Sequence, residues 1–306
     1  MRIAVLGAGA MGSLYAGYLS RCNDVVLVGN RQEAVDRINA DGIRIHEKDG
    51  SVTVGRPQAV VSTQGLAPVE LIVVFVKSMS TGSALEGCAP LIGQKTCILT
   101  LQNGSGHEEV LSRFVPLDRV LIGTTQHNSA VLGPGEIRHG GSGMTHLGCV
   151  QDDAARFQPV ADAFTASGLE ADCSNEVRRL VWNKLFTNAS LSVLTGILQV
   201  PMGFITRNPS AWALCETLVR EAVAVAAADG YSFDADEKVA EVRSVSENGP
   251  NGITSICADL GKGRLTEVDT ISGSVVRASR RLGVPAPTHE AMVALVHAME
   301  GKAQGN

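Results

Sequence analysis

Several groups of residues in this 306-residue sequence have types and spacings suited to chemistry. The first is Gly7-Ala8-Gly9-Ala10-Met11-Gly12, directly after the apolar run Ile3–Leu6. Gly7 permits a tight turn after a strand. Gly9 lets a pyrophosphate approach the backbone, and Gly12 lets a helix pack closely on the sheet. The helix opening here turns free N–H groups toward an anion. A G-x-G-x-x-G by itself is also met as a merely structural turn. Its place between a first strand and a second, Val25–Val28, favours a dinucleotide site made by these six residues.

The second strand runs into Gly29-Asn30-Arg31, with no carboxylate until Glu33. An NAD-preferring site usually places Asp or Glu near here to accept from the ribose 2′-OH. Arg31 stands instead where a 2′-phosphate would sit. A charge-assisted hydrogen bond is worth roughly 1.5–3 kcal/mol, about a ten- to hundredfold preference. The expected cofactor is therefore NADPH (NADP when oxidised). The competing reading of Arg31 is a solvated arginine at a helix start.

Two further strand ends are polar. Leu71–Val76 leads into Lys77-Ser78, and Ile98–Leu101 leads into Gln102-Asn103-Gly104. Strand carboxyl ends of such sheets face the ligand. Lys77 is suited to the cofactor's ribose or to the substrate, and Asn103 to a hydrogen bond near the nicotinamide. Either residue is equally ordinary loop chemistry when taken alone. In Trp182-Asn183-Lys184-Leu185-Phe186-Thr187-Asn188-Ala189-Ser190-Leu191-Ser192, helical spacing puts Lys184, Asn188 and Ser192 along one face. A lysine in an apolar helix is costly unless it has a task. Ketone reduction needs a proton donor at the carbonyl oxygen, and an ammonium supplies one. The alternative is a lysine snorkelling at the helix edge. Ser255 and Glu267 lie on either side of a loop between two helices. Glu267 also reads as a helix N-terminal carboxylate.

The elements that must position these residues follow from periodicity. Ile3–Leu6, Val25–Val28, Leu71–Val76, Thr96–Leu101, Val120–Thr125, Gly135–Arg138 and Thr145–Cys149 read as strands. Ile43–His46 and Ser51–Val54 form a hairpin around Glu47–Gly50. Helices over Ala10–Ser20 and around Gln32–Ala40 alternate with these strands. That alternation predicts a Rossmann-type, doubly wound parallel sheet. From Asp152 the pattern turns helical: Asp152–Ala166, Asn175–Leu194, Pro209–Ala228, Ala235–Ser246, Ile253–Leu260, Val268–Leu282 and His289–Met299. The expectation is an α/β domain over residues 1–168 for NADP and an all-α domain over 169–306 for substrate and catalysis. The site is expected at the carboxyl ends of the strands.

Composition bounds the rest. The chain is 44% hydrophobic, enough for a core, and its net charge of −5 gives no general attraction to nucleic acid or anionic lipid. No run approaches the length of a membrane helix, so no membrane partner is expected. Seven scattered cysteines without C-x-x-C imply buried thiols in a reducing, cytoplasmic setting. The seven histidines show no metal-ligand spacing, so no metal is expected. His127 falls near a strand end without an assigned role.

Together these segments resemble the ketopantoate reductase (2-dehydropantoate 2-reductase) family along essentially the whole chain. The resemblance rests on GAGAMG, Arg31, Val76–Ser78, LQNG at Leu101–Gly104, GPG at Gly133–Gly135, WNKLFTN at Trp182–Asn188, and Thr254-Ser255 with Thr266–Asp269 and Gly273. It implies that Lys184 protonates the substrate carbonyl and that Glu267 is the acidic residue at substrate and cofactor. It places Asn188 and Ser255 on the substrate, with Ser255 at its carboxylate. Lys77 and Asn103 then lie at the cofactor, with Asn103 also beside the substrate. Two departures bear on the substrate. Ser192 stands where members often carry a second asparagine, and an asparagine expected near Met202 is absent.

The implied reaction is NADPH-dependent reduction of ketopantoate to pantoate, in pantothenate biosynthesis. A related reductase of another 2-oxo acid is the first alternative. A 3-hydroxyisobutyrate-type dehydrogenase shares the Lys-x-x-x-Asn pair but would carry a Gly-rich approach, where this chain has Val177–Trp182. A non-catalytic NADP-binding redox sensor would be favoured by loss of the acid-base pair, and both Lys184 and Glu267 are present. The helical domain offers a surface for a homodimer.

Overall fold

The computed structural model describes residues 1–305. The chain divides into two compact units. One comprises Met1–Gln102 and His107–Leu180, the other Asn103–Gly106 and the chain from Val181 onward.

The first unit contains β1 (Arg2–Leu6), α1 (Ala10–Leu19), β2 (Asp24–Val28), α2 (Gln32–Asp41), β3 (Ile43–His46), β4 (Val52–Gly55), β5 (Gln58–Val60), β6 (Leu71–Val74), α3 (Thr81–Gly87), β7 (Cys97–Thr100), α4 (Glu108–Leu111), β8 (Val120–Thr125), β9 (Asn128–Gly133), β10 (Glu136–Gly141), β11 (Thr145–Cys149), α5 (Gln158–Ala166) and β12 (Ala171–Cys173). Eight strands form one sheet in the order β12-β11-β8-β7-β6-β1-β2-β5. All its pairs are parallel except β8 with β11. The apolar runs explain this build. In β1, Ile3 and Val5 enter one core with Leu14, Tyr15 and Phe164. Ala4 and Leu6 enter a second core with Leu85, Leu91 and Leu111. Both faces of the sheet are covered, as near-continuous apolar strands require.

Four strands depart from the single-sheet expectation. The hairpin β3–β4 is antiparallel as expected, but β10 pairs with β3 and β9. These four make a separate sheet, β4-β3-β10-β9. Strands β5, β9 and β12 were not foreseen. Because β12 pairs with β11, the first unit runs on to Leu180 instead of ending at Gly168. The helix expected over Asp152–Ala166 divides into a 3-10 turn, Ala154–Phe157, and α5. Asp153 caps the turn by accepting from Ala155 N at 3.0 Å.

Helix α6 (Val177–Thr187) crosses the division. Beyond it, a π-helical turn Asn188–Ser192 runs into α7 (Val193–Leu198). There follow α8 (Met202–Arg207), α9 (Pro209–Ala228), α10 (Ala235–Asn248), α11 (Ser255–Leu260), α12 (Ser272–Leu282) and α13 (Pro287–Gln304). Asn208 caps α9 through Ala211 N, followed by a proline that suits the first turn. Cys215, Leu218, Val219, Ala222 and Val225 of α9 are buried in one core with Trp182, Phe186, Leu194, Val275 and Val296. Each fully buried aliphatic side chain contributes about 1.5–3 kcal/mol. Helix α12 begins at Ser272, later than the expected Val268. No helix among the described residues is long and apolar enough to cross a membrane.

Candidate active site

In the first unit the Gly-rich turn has the geometry its residues imply. Gly7 takes φ +106°, and its N–H donates to Val28 O at 2.9 Å, tying the turn to β2. A Cβ on Gly12 would lie 1.8 Å from Gly7 O, so only glycine allows α1 this close. Gly9 is exposed at the N-cap of α1, and a Cβ there would meet nothing within 4 Å. The backbone around Gly9 is thus open to a ligand, with the N–H groups at Ala10 and Met11 beginning the helix. Ala8 and Met11 pack partly against the sheet core. The donor set and the open cradle fit a pyrophosphate.

Arg31 occupies the N-cap position of α2 with extended backbone and an exposed side chain. That side chain has no partner among the described residues, which leaves it able to meet a phosphate. Lys77 is exposed and precedes a 3-10 turn, Ser78–Ser80. Gln102, quoted in the sequence only as part of LQNG, fastens this corner. It is buried, donates to Val76 O at 2.6 Å and Thr81 Oγ1 at 3.0 Å, and accepts from Thr100 Oγ1 at 2.9 Å. The ends of β6 and β7 are thereby held together next to Lys77.

His127, just after β8, belongs to a buried chain of polar groups in the same unit. Its Nδ1 lies 3.0 Å from His139 Nε2, and His139 Nδ1 lies 2.8 Å from Glu47 Oε2. Tyr18 Oη donates to the other oxygen of Glu47 at 2.7 Å. His127 Nε2 is buried with no partner among the described residues. Burial, helped by neighbouring His139, pushes the His127 imidazole down to about 4.

In the second unit Lys184 is half-buried on α6, flanked by the core residues Trp182, Leu185 and Phe186. Trp182 Nε1 donates to Asp229 Oδ2 at 3.1 Å, which anchors the helix. Burial pushes the Lys184 ammonium down to about 8. The loss of hydration disfavours the charged form. Asn188 opens the π-helical turn and Ser192 closes it. The uniform four-residue spacing expected for Lys184, Asn188 and Ser192 therefore holds only up to Asn188, beyond which the wider turn changes the register. Such turns are frequent at functional sites. Ser192 is buried, and its hydroxyl has no partner among the described residues. Ser272 Oγ, at the start of α12, donates to Ala189 O at 3.1 Å and pins the π-helical turn.

Asn103 joins this group. Asn188 Nδ2 donates to Asn103 Oδ1 at 3.4 Å. The strip Asn103–Gly106 is fixed by Thr270, a residue that no local pattern singles out. Thr270 O accepts from Ser105 N at 2.8 Å, and Thr270 Oγ1 reaches Asn103 O at 3.3 Å. Gly104, at φ +97°, makes the approach possible, because a Cβ there would lie 1.9 Å from Thr270 O. Thr270 also binds Glu267. Its N–H and its hydroxyl each lie 3.2 Å from Glu267 O. Glu267 is buried in this turn ahead of α12, which replaces the reading of it as a helix-start carboxylate. Ser255 is the first residue of α11, after its cap Thr254. Thr254 Oγ1 lies 2.8 Å from Thr195 Oγ1, which ties α11 to α7. Met202 packs its methyl against the Gly249–Gly252 turn, so this position is occupied by a structural contact.

A doubly wound sheet with a Gly-rich first turn, followed along the chain by a helical unit bearing a half-buried lysine, has the build of a pyridine-nucleotide oxidoreductase. The family described as ketopantoate reductase PanE/ApbA matches residues 3–152, and its C-terminal part matches residues 176–300. The chain belongs to this family. It is 35% identical to the 2-dehydropantoate 2-reductase of Halobacterium salinarum, over 97% of this chain and 98% of that one. It is 30% identical to the enzyme of the same name from Lactococcus lactis, over 98% of both chains. Among solved structures, a ternary structure of D-mandelate dehydrogenase with NADH and anilino(oxo)acetate is similar at TM-score 0.92 and 32% identity. It covers 99% of this chain and 100% of its own. A PanE/ApbA family ketopantoate reductase from Ralstonia eutropha is similar at TM-score 0.89 and 30% identity, over 99% and 100% of the two chains.

Proposed function

We propose that this protein reduces 2-dehydropantoate (ketopantoate) to pantoate with NADPH, as a cytoplasmic step of pantothenate biosynthesis. The observation that carries the reading is the half-buried Lys184 with its ammonium pushed down to about 8, one helical turn before Asn188. A proton held at Lys184 Nζ near neutral pH is easily given up to a developing alkoxide. The same ammonium offers positive potential to the oxo oxygen before transfer. Asn188, Ser192 and Ser255 hold the carboxylate and oxo groups. Glu267 orients the substrate through its distal hydroxyl, and Asn103 fixes the oxo carbon's surroundings.

On the cofactor side, the backbone of Gly7–Gly12 binds the pyrophosphate, Arg31 the 2′-phosphate, and Lys77 the ribose. When bound, the reduced nicotinamide supplies a hydride to the oxo carbon. NADPH is favoured over NADH by Arg31, which is exposed and uncommitted, and by the lack of a carboxylate between β2 and Glu33.

A second reading has a specific observation behind it. Ser192 is short, with an uncommitted hydroxyl, and a D-mandelate dehydrogenase is among the similar structures. Both favour a bulkier 2-oxo acid, such as an aryl one. A panel of 2-oxo acids assayed with NADPH and NADH decides. Highest kcat/KM on ketopantoate supports the first reading, and highest kcat/KM on an aryl or other 2-oxo acid supports the second. Nucleotide binding without turnover of any member would point to the redox-sensor alternative.

A further inference from the structure

The turn that carries Glu267 is gripped from outside by two side chains of α13 that the reaction itself does not use. Glu300 is buried, and its Oε1 accepts from Thr266 N at 2.7 Å, immediately before Glu267. Glu300 Oε2 lies 3.0 Å from His297 Nδ1. His297 Nε2 lies 3.0 Å from Asp269 Oδ1, two residues after Glu267. The turn is therefore held on both sides of Glu267, and both holds meet in one imidazole.

An ionised carboxylate only accepts hydrogen bonds. Glu300 Oε1 already accepts from Thr266 N, which leaves Oε2 for His297, and Asp269 is exposed to water. Both ring nitrogens of His297 must then donate, which requires the imidazolium. A neutral imidazole has one N–H, so one of the two contacts becomes a lone pair facing a carboxylate oxygen.

We propose that His297 and Glu300 are positioning residues that hold Glu267 in its working geometry, and that His297 does so only as the imidazolium. The inference rests on the proposed role of Glu267 at the substrate. The charged groups around His297 agree with it. Burial alone would lower its affinity for a proton, but the Glu300 hydrogen bond and the Asp269 carboxylate outweigh that and raise it above the ordinary value. Arg277 of α12 is committed to Asp269 O at 2.7 Å. The two charged partners that face His297, Glu300 on its own helix and Asp269 on the turn, are both acidic, the sign that favours imidazolium.

The test is the pH dependence of KM for the preferred 2-oxo acid, between about pH 6 and 9, in the complete protein. In the wild type KM for the 2-oxo acid rises about tenfold as His297 loses its proton. His297→Arg keeps two donors and a permanent charge, so KM stays low and this rise disappears. His297→Gln has one donor atom, its amide nitrogen, with an acceptor oxygen beside it and no charge, so it cannot donate from two positions as the imidazolium does and KM is raised at every pH. Titration of Lys184 is common to all three proteins and cancels in the comparison. Superimposable KM profiles for wild type and His297→Gln would overturn the proposal.

Amide exchange at Thr266, corrected for its intrinsic pH dependence, reads the same device without turnover. Protection that falls with deprotonation in the wild type, and not in His297→Arg, supports the proposal. Equal protection at all pH values overturns it. A protein that turns over no 2-oxo acid but shows the exchange transition would sink the proposed reaction and leave the clamp standing.

Discussion

Lys184 and Arg31 sit in opposite environments for a cation. Lys184 is withdrawn from water, and its proton is loosened to about 8 from an ordinary 10.5. Below about pH 8 both folded and unfolded chains hold this proton, and the cost of burying the charge is fully present. Between about 8 and 10.5 the unfolded chain binds the extra proton, so stability rises with pH. Urea midpoints should therefore show Lys184→Met to be more stable than wild type below pH 8, the gap narrowing toward pH 10.5. A constant gap would argue against the loosened proton.

Arg31 stays in water and keeps its charge uncommitted. Arg31→Ala should cut the NADPH/NADH ratio of kcat/KM by about ten- to hundredfold. An unchanged ratio would remove Arg31 from the cofactor site. The sequence marked both as candidates, because each is a charge in a context that makes it expensive or exposed; the exposed N-cap position of Arg31 also fits the reading of a solvated helix-start arginine. Thr270 and Gln102 were not. Their importance lies in backbone groups they bind far along the chain, and a threonine or glutamine carries no local mark of that.

At the scale of elements, the strand–turn–helix from Arg2 to Leu19 followed directly from the apolar run and the three glycines. The buried β6 was visible as an uninterrupted apolar stretch, although pairing ends at Val74 and not at Val76. Strands β5 and β12 have three residues each and owe their existence to the partner beside them, not to any period of their own. The π-helical turn was invisible, since Asn188–Ser192 has the same apolar pattern whether the turn is α or π.

Three strands of the second sheet were legible as the hairpin β3–β4 and as β10, but their pairing into a separate sheet was not. The buried polar chain that runs from His127 into this sheet is where pH should register. His127 is pushed down to about 4 from an ordinary 6.5. The folded chain refuses a proton that the unfolded chain accepts at 6.5. Stability is complete above that value and is lost as pH falls from about 6.5 to about 4. Thermal melts across this window should be flatter for His127→Phe than for wild type. Parallel acid limbs would show that another group sets the acid sensitivity.

For the whole molecule, class was easier to read than partition. Alternating strands and helices followed by helices alone sufficed for the α/β and all-α succession. The division after Leu180 was hidden, because pairing of β12 with β11 draws Ala171–Cys173 and the start of α6 into the first unit. The assignment of Asn103–Gly106 to the second unit was hidden too. It depends on contacts with Thr270, 167 positions from Asn103. The glycines, Arg31 and Lys77 lie in the first unit, while Asn103, Lys184, Asn188, Ser192, Ser255 and Glu267 lie in the second.

The proton at Lys184 is the claim on which the proposed reaction stands. Its direct measurement is the single-turnover reduction of the preferred 2-oxo acid by NADPH, followed at the reduced-nicotinamide absorbance in wild type and Lys184→Ala. The expected result is a rate lower by about a hundred- to ten-thousand-fold in the variant, with NADPH affinity unchanged. The wild-type rate should decline as pH is raised through about 8. Near-normal turnover by Lys184→Ala would contradict the account.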